Sequence, residues 1–324
     1  MVDKVLVTGG TGFVGGAVLR GLSARGRSAV AAVRSPDAVL PAGVPAFTTG
    51  DLDSDTVWQS AFEGVSVVVH AAARVHVMRE TADGCLAEFR RINVTGTLNL
   101  ARQAAEAGVR RFVFISSIKV NGERTQPGQA FRNDDPPLPV DPYGLSKSEA
   151  EQRLTELAHQ FGMEFVVVRP CLVYGPGVRA NFLSMLHWLD KGVPLPLGAI
   201  HNQRSLLALD NLVDLIVACT EHPAAANQIF LAADGEDLST TALLRRLGDA
   251  LGTPARLVPV PTAILRAGAA LIGKRAIAER LCGSLQVDIS KTRSILGWKP
   301  PLSVDEGLAR TVEWYRASHR GGGA

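Results

Sequence analysis

Cysteine is scarce in this chain, with four residues in 324. Cys85, Cys171, Cys219 and Cys282 lie far apart, with no C-x-x-C pair and no adjacent paired histidines, which disfavours a zinc site and a disulfide framework alike. Reduced thiols fit, and a cytoplasmic protein without a metal is expected. An excess of one charge is also lacking: 34 Lys plus Arg oppose 31 Asp plus Glu, for a formal +3 with the signs interspersed. Nothing in that balance marks a nucleic-acid or anionic-membrane surface. Long apolar runs are missing as well. Stretches 262–273 and 206–220 are too short for a membrane span or carry Arg266, Asp210 or Asp214. The first apolar run has strand length and leads straight into glycines, which argues against a signal peptide. There is no internal repeat, and the closing "HRGGGA", 319–324, reads as a disordered tail.

What is present is alternation. A chain of 324 residues can hold one large α/β domain and a smaller appendage. The first two-thirds interleaves short β-branched runs with longer helical patterns, as in a parallel sheet covered on both faces. Candidate strands are Lys4–Val7, Ser28–Val33, Val65–His70, Arg111–Ile115, Glu164–Val168 and Ser205–Leu209. Val14, Val18 and Leu22 mark a first helix ending at Gly26, and 86–107 a second ending at Gly108. From Pro170 the pattern changes to Pro/Gly punctuation and then, after Ala233, to helices. The expected division is a larger α/β domain over 1–169 and 205–232, and a smaller lobe over 170–204 and 233–318.

In "VTGGTGFVG", Gly9, Gly12 and Gly15 fall three apart between a strand and a helix. One glycine permits an unusual turn, a second admits a pyrophosphate to the backbone, and a third lets helix and strand pack closely. Amides at the helix start would then face the phosphates. An empty tight turn is the competing reading, but the motif has its required strand and helix on either side. At the next strand end, "AAVRSPD" puts Arg34 where an acid would grip the ribose hydroxyls, which leans towards NADP(H), although Asp37 is close and Arg also stacks on adenine. Asp51 and Leu52, in "GDLDS", suit either an adenine contact or an ordinary helix cap with a core leucine.

"YGLSK" places Tyr143 and Lys147 on one helix face, and "ISSIKVNG" sets Ser117 just past an apolar strand. A tyrosine serves as acid or base near neutrality only with a lowered pKa, and a neighbouring ammonium favours the phenolate. Lys147 is expected to supply that charge. Ser117 would hold the reacting oxygen while hydride moves at the carbon beneath it. Alone, such a Tyr–Lys pair is usually surface decoration; here it follows a dinucleotide loop and a strand-end serine.

Taken in order, "VTGGTGFVG", "VVHAAA", "NVTGTLNLA", "FVFISSIKV", "PYGLSKSEAE", "VVVRPCLVYGPG", "NQRSLLALDNLVDLI" and "LGWKPPLSVDEGLARTVEWY" make the chain resemble the extended short-chain dehydrogenase/reductases, in their nucleotide-sugar epimerase/dehydratase group. The resemblance covers nearly the whole chain. It implies an α/β fold, a Rossmann doubly wound parallel sheet with a smaller, mostly helical C-terminal lobe gripping a nucleoside diphosphate sugar. It implies Ser117, Tyr143 and Lys147 as the catalytic residues, with Lys147 also on the nicotinamide ribose. Phe13 and Val14 join the glycines at the cofactor, Ala71 and Ala72 form its wall, and Asn93 is a structural or proton-relay residue beside it. Asn181 and Arg204 match positions that hold the sugar diphosphate. Arg280 is a third candidate, against a reading as solvated surface charge. Relatives pair into homodimers through the 86–107 helix and the helix of Tyr143, so a homodimer is expected.

Departures refine this. Dehydratases of the group carry Asp-Glu after the Ser/Thr, where this chain has Ile118 and Lys119, so 4,6-dehydration is disfavoured. Epimerases commonly read "VYG" where Val120–Gly122 reads "VNG", and "HAAARVHVMRE" replaces their usual loop. "SSIKVNG" with "SLLALDNL" resembles a bacterial surface-polysaccharide subgroup of lipopolysaccharide and O-antigen synthesis. It includes 4-reductases of UDP-4-keto-6-deoxy-N-acetylglucosamine, which make UDP-N-acetylquinovosamine, and related C4 epimerases. The expectation is therefore hydride transfer at C4 of a UDP-sugar: first 4-ketoreduction, second 4-epimerisation of UDP-glucose or UDP-N-acetylglucosamine. A non-catalytic dinucleotide sensor would be expected to lose Tyr143 or Lys147. A reductase of steroid-like ketones suits Asn181 and Arg204 poorly. Lys119 reads as a surface lysine, or as one near the substrate.

Overall fold

Consecutive Val, Ile and Ala in the short runs leave no polar face, so these strands must be covered on both sides. The computed structural model, which describes residues 4–75, 82–126 and 128–319, shows how. The strands are β1 (Lys4–Thr8), β2 (Ala29–Val33), β3 (Ala46–Thr48), β4 (Val65–His70), β5 (Arg111–Ile115), β6 (Glu164–Pro170), β7 (Leu172–Tyr174), β8 (Arg204–Ala208), β9 (Gln228–Ala232) and β10 (Asp237–Leu238). The helices are α1 (Phe13–Ala24), α2 (Ala82–Phe89), α3 (Thr97–Glu106), α4 (Pro142–Phe161), α5 (Ala180–Asp190), α6 (Leu209–Glu221), α7 (Thr240–Ala250), α8 (Thr262–Leu271), α9 (Arg275–Cys282), α10 (Ser290–Leu296) and α11 (Val304–His319).

Seven strands form the main sheet in the order β3-β2-β1-β4-β5-β6-β9, every neighbouring pair parallel. The chain winds outward from β1 to one side, then returns to β4 and winds to the other. That reversal opens a crevice beyond the carboxyl ends of β1 and β4, the place where such sheets bind ligands. Val18, Leu19 and Leu22 of α1 pack with Leu212 and Leu215 of α6 on one face. Leu100 and Ala104 of α3 pack with Leu154 and Ala158 of α4 on the other. All are essentially inaccessible to water, each large side chain contributing about 1.5–3 kcal/mol of burial.

A second sheet, β10-β8-β7, lies under α5, α7 and α11, whose Phe182, Leu186, Leu244, Leu247, Leu308 and Val312 enclose Tyr174 and Leu206. Here expectation and structure part. The strand expected at Ser205–Leu209 spans Arg204–Ala208 and belongs to this small sheet, pairing parallel to β7 and antiparallel to β10. The main sheet is instead completed by β9, and β3 extends its other edge. Ile289, Leu296 and Trp298, from the segment expected in the second lobe, pack into the main core. The expected 86–107 helix is α2 and α3 joined by a π segment, Arg90–Gly96. His319 closes α11 and stacks on Tyr315 at 4.9 Å, so it is not tail; 320–324 lie outside the described residues, as do residues 76–80 of the "HAAARVHVMRE" loop and Thr81 after it.

Candidate active site

The glycine loop forms because two of its positions, Gly9 and Gly15, admit no side chain, and Gly12 leaves little room for one. Gly9 is left-handed, φ +69°, and a Cβ there would stand 2.8 Å from Ala72 N, so β1 and the end of β4 approach backbone to backbone. At Gly15 a Cβ would stand 2.2 Å from Gly9 O. The Gly12 amide donates to Gly9 O at 2.8 Å, closing the turn into α1. Among the described residues no side chain caps Gly12, and the first turn of α1, which begins with Phe13 and Val14, carries no acid. The positive end of a 12-residue helix thus points out of a glycine-lined cradle with no capping side chain. These residues fit a dinucleotide pyrophosphate. Ala71 and Ala72 follow β4 and border the cradle.

Arg34, directly after β2, and Asp51, after β3, come together with Nε 3.7 Å from Oδ1, both side chains mostly exposed. The acid expected at this strand end is thus supplied by Asp51, from another turn. Asp51 does not cap a helix: Asp53 makes the local turn, accepting from the amides of Asp55 and Thr56 at 3.0 and 3.1 Å. Leu52 packs partly against the core. The polar residue ending the apolar run "VSVVVH" is a strut: His70 Nδ1 meets Thr8 Oγ1 at 2.7 Å and Nε2 meets Thr97 Oγ1 at 2.9 Å. Burial, then the neighbouring Lys147 charge, pushes the imidazole down to about 3, so it stays neutral. Thr8 Oγ1 in turn accepts from the Ala72 amide at 3.2 Å, fixing the cradle wall. Asn93 sits buried in the π segment, a distortion common at functional sites. Its amide donates to Ser146 Oγ at 3.0 Å and Ser146 Oγ donates to Tyr143 O at 2.8 Å, so Asn93 ties the segment after β4 to the start of α4.

Asp-Pro starts α4: Pro142 takes the first helical position and Asp141 Oδ1 accepts from Gly144 N at 2.7 Å. Tyr143 and Lys147 then lie one turn apart. Lys147 is fully buried, its Nζ donating to Ile115 O at 2.8 Å at the end of β5 and lying 4.4 Å from the Phe114 ring centroid. Ser117, two residues past β5, starts a short 3-10 turn and accepts from Lys119 N at 3.2 Å. The three predicted residues therefore share one strand end. The proton states differ from expectation. Burial, then Asp141, holds the Tyr143 phenol above its ordinary range, with the Phe89 ring edge-on at 6.0 Å. Burial pushes Lys147 down to about 7, partly opposed by Glu151. Lys147 faces Ile115 O and Phe114, and its charge is not what sets the tyrosine in this arrangement.

Under these residues runs a buried network that spacing did not reveal. Glu151, on α4, accepts from Ser116 Oγ and from Arg169 Nε at 3.0 Å, and Arg169 Nη1 reaches Asn121 Oδ1 at 2.9 Å. It locks α4 to β6 and to the turn after β5. Ile118 is core, and Lys119 is no loose surface lysine. Its Nζ bonds Glu123 Oε1 at 3.2 Å and Asp141 Oδ2, the cap of α4.

On the lobe side, Arg204 begins β8 and its Nη1 donates to Arg280 O at 3.0 Å and Gly283 O at 3.1 Å, at the end of α9. Two of the three predicted phosphate ligands are thereby adjacent, joined through a main-chain carbonyl, with the Arg280 side chain exposed. Asn181 is exposed in the first turn of α5, after Ala180 at φ +53°, a strained value for a non-glycine residue.

With this geometry in place, comparison with known proteins fixes the class. A model of the NAD dependent epimerase/dehydratase family matches residues 5–233, and the chain belongs to that family of extended short-chain dehydrogenase/reductase enzymes. It is 47% identical over 319 residues to a UDP-glucose 4-epimerase of Vibrio cholerae, covering 97% of this chain and 95% of that one. Among solved structures, UDP-glucose 4-epimerase of Thermotoga maritima with UDP-glucose superposes at TM-score 0.77 with 22% identity, covering 97% of this chain and 99% of the other. MoeE5 in complex with UDP-glucose and NAD gives 0.76 with 26% identity over 98% and 99%. The Vibrio cholerae relative is named for 4-epimerisation, the second of the two expectations, and not for the ketoreduction ranked first from sequence.

Proposed function

We propose that this protein is a UDP-sugar 4-epimerase using NAD. The observation that carries the reading is the convergence of Ser117, Tyr143 and Lys147 at the carboxyl end of β5, beside the glycine cradle, in a chain so similar to a 4-epimerase. The chemistry a bound NAD would supply is reversible acceptance of hydride from C4, with no net redox change. Gly9, Gly12 and Gly15 seat the pyrophosphate with Phe13 and Val14 at the helix start. Asp51 takes the ribose hydroxyls, and its carboxylate beside Arg34 opposes a 2′-phosphate, which favours NAD over NADP. Ser117 Oγ steadies O4 of the sugar. In its phenolate form, whose ionisation sets the ascending limb of the pH profile, Tyr143 takes the O4 proton as C4 is oxidised and returns it after the keto sugar has turned over. Lys147 holds the nicotinamide ribose and Asn93 braces Tyr143. Arg204, with Asn181 and Arg280, holds the diphosphate on the second lobe, for which we keep the division at 170–204 and 233–318 apart from β8 and the core contacts of 289–298. The faces of α2, α3 and α4 form the homodimer contact.

Purified protein given UDP-glucose without added nicotinamide should form UDP-galactose, with no net change at 340 nm, and Tyr143→Phe should lower the rate by at least about 100-fold, the lower bound for losing an acid–base group. Stoichiometric NAD(P)H oxidation by UDP-4-keto-6-deoxy-N-acetylglucosamine, with no interconversion of UDP-hexoses, would overturn this in favour of the 4-reductase.

A further inference from the structure

The 262–273 stretch is too short to span a bilayer, and among the described residues no helix is long and apolar enough to do so. Its exposure nevertheless sets it apart. None of the α8 residues is buried, and Leu271 is 88% exposed, Ile272 68%, Ile264 61% and, in α9, Ile277 52%. Leu265 and Leu281 anchor the pair of helices on the lobe core, so the hairpin is held in place while its outer side stays apolar. Four large apolar side chains exposed on one helical hairpin are unfavourable in water and mark an interaction surface.

Charge identifies the partner. Between 255 and 281 the sequence carries Arg256, Arg266, Lys274, Arg275 and Arg280 against the single acid Glu279. All five basic residues are exposed. Glu279 is engaged by Arg124 at 2.5 Å and by Arg275 at 3.7 Å. The turn between the helices, at Gly273, φ +68°, places Leu271 and Ile272 directly beside Lys274 and Arg275. Apolar side chains that enter the acyl boundary, next in the chain to cations that meet headgroup phosphates, define an element that lies on a membrane without crossing it.

We propose that the α8–α9 hairpin docks this protein on an anionic bilayer surface. The inference stands on surface composition and goes beyond the sugar chemistry proposed above. The link between Arg204 and the carbonyls of Arg280 and Gly283 means that the docked hairpin is fixed to the residue proposed to hold the substrate diphosphate. Docking thereby brings the substrate lobe to the membrane surface.

Co-sedimentation of the full chain with vesicles of phosphatidylglycerol and phosphatidylcholine, or of phosphatidylcholine alone, tests this. Binding is expected on the anionic vesicles, at least about tenfold tighter than on the neutral ones, and weakened by salt. Leu271→Ser with Ile272→Ser should lose at least about tenfold, since both apolar contacts go. Lys274→Glu with Arg275→Glu should lose more, at about fivefold or greater for each reversed charge. Both variants should melt like the parent and keep its vesicle-free epimerisation rate. The proposal fails if the parent stays in the supernatant with anionic vesicles, or if neither double variant changes binding. It fails equally if the parent ignores vesicles and self-associates through this face, shown by light scattering that Leu271→Ser with Ile272→Ser abolishes.

Discussion

Two helices begin at the carboxyl edge of the same sheet and treat their N-terminal amides in opposite ways. The start of α1 is bare, with a glycine at the cap and no acid in its first turn. The start of α4 is closed by Asp141, whose one oxygen takes the Gly144 amide and whose other meets Lys119. An open, positive helix end is suited to a passing anion, whereas a satisfied end fixes a helix in place. The first is what a phosphate needs, and the second is what a proton-handling tyrosine in the first turn needs. Closing α4 with an acid has a consequence, because Asp141 adds to burial in keeping the Tyr143 phenol protonated.

The largest way to break the contrast is to fill the open end. Gly15→Ala would put a methyl 2.2 Å from Gly9 O, and the loop must move. NAD affinity should fall on the order of 100-fold, about 2.7 kcal/mol, with about 1–3 kcal/mol of stability lost to overpacking. At the closed end, Gly144→Ala puts its methyl 2.9 Å from Lys119 O and should lower Tm while NAD binds much as before. NAD titration monitored by protein fluorescence separates the two; equal losses of affinity would erase the distinction.

Lys147→Met removes a cation from under α4. The lysine is fully buried and its folded pKa is pushed down to about 7. The folded chain therefore binds this proton less tightly than the unfolded one. The penalty is complete below about pH 7 and vanishes as pH rises towards the ordinary lysine value of about 10.4. The inactive variant should be more stable than the parent at pH 6, and its advantage should shrink through that window. Urea unfolding at pH 6 and 9 measures both; a variant less stable than the parent at pH 6 contradicts the assignment.

Much of this site was legible in the sequence because its signals are local. Gly9, Gly12 and Gly15 answer to backbone geometry within one turn, and Tyr143 with Lys147 to one helical step. The alternation that predicted the sheet reflects burial on both faces. What stayed hidden depends on segments far apart in the chain. The His70 strut needs Thr8 and Thr97, the Glu151 clamp needs Arg169, and Arg204 finds its carbonyls about 80 residues later, at a fold-made contact no spacing rule encodes. Tyr143 was expected to be lowered by Lys147 because the i, i+4 step puts them together, but its partial burial and Asp141 act the other way. The strand at β8 was recognised and misplaced, since a short β-branched run does not say which sheet it joins. A net charge of +3 likewise concealed the basic hairpin.

Asp141→Ala opens the closed end. Losing the cap should cost about 1 kcal/mol, read from urea unfolding. It also removes one of the two influences that keep Tyr143 protonated, so the ascending limb of kcat/KM should move to lower pH. An unchanged limb would mean that burial alone sets the phenol.

Lys119→Met gives the smallest and sharpest test, because it leaves the cap and uncovers its charge. The ammonium is about one-third exposed, so the pair is worth no more than about 1 kcal/mol and the change in stability should be slight. The effect on the proton should have the opposite sign to that of Asp141→Ala. With Lys119 gone, Asp141 faces Tyr143 without its counter-ion, the phenol is harder to ionise, and the ascending limb should move to higher pH with KM little changed. Lys119→Arg, which keeps the charge, should restore the parent profile. If Lys119→Met raised KM for the UDP-sugar and left the limb in place, the lysine would be touching substrate instead of balancing the helix cap.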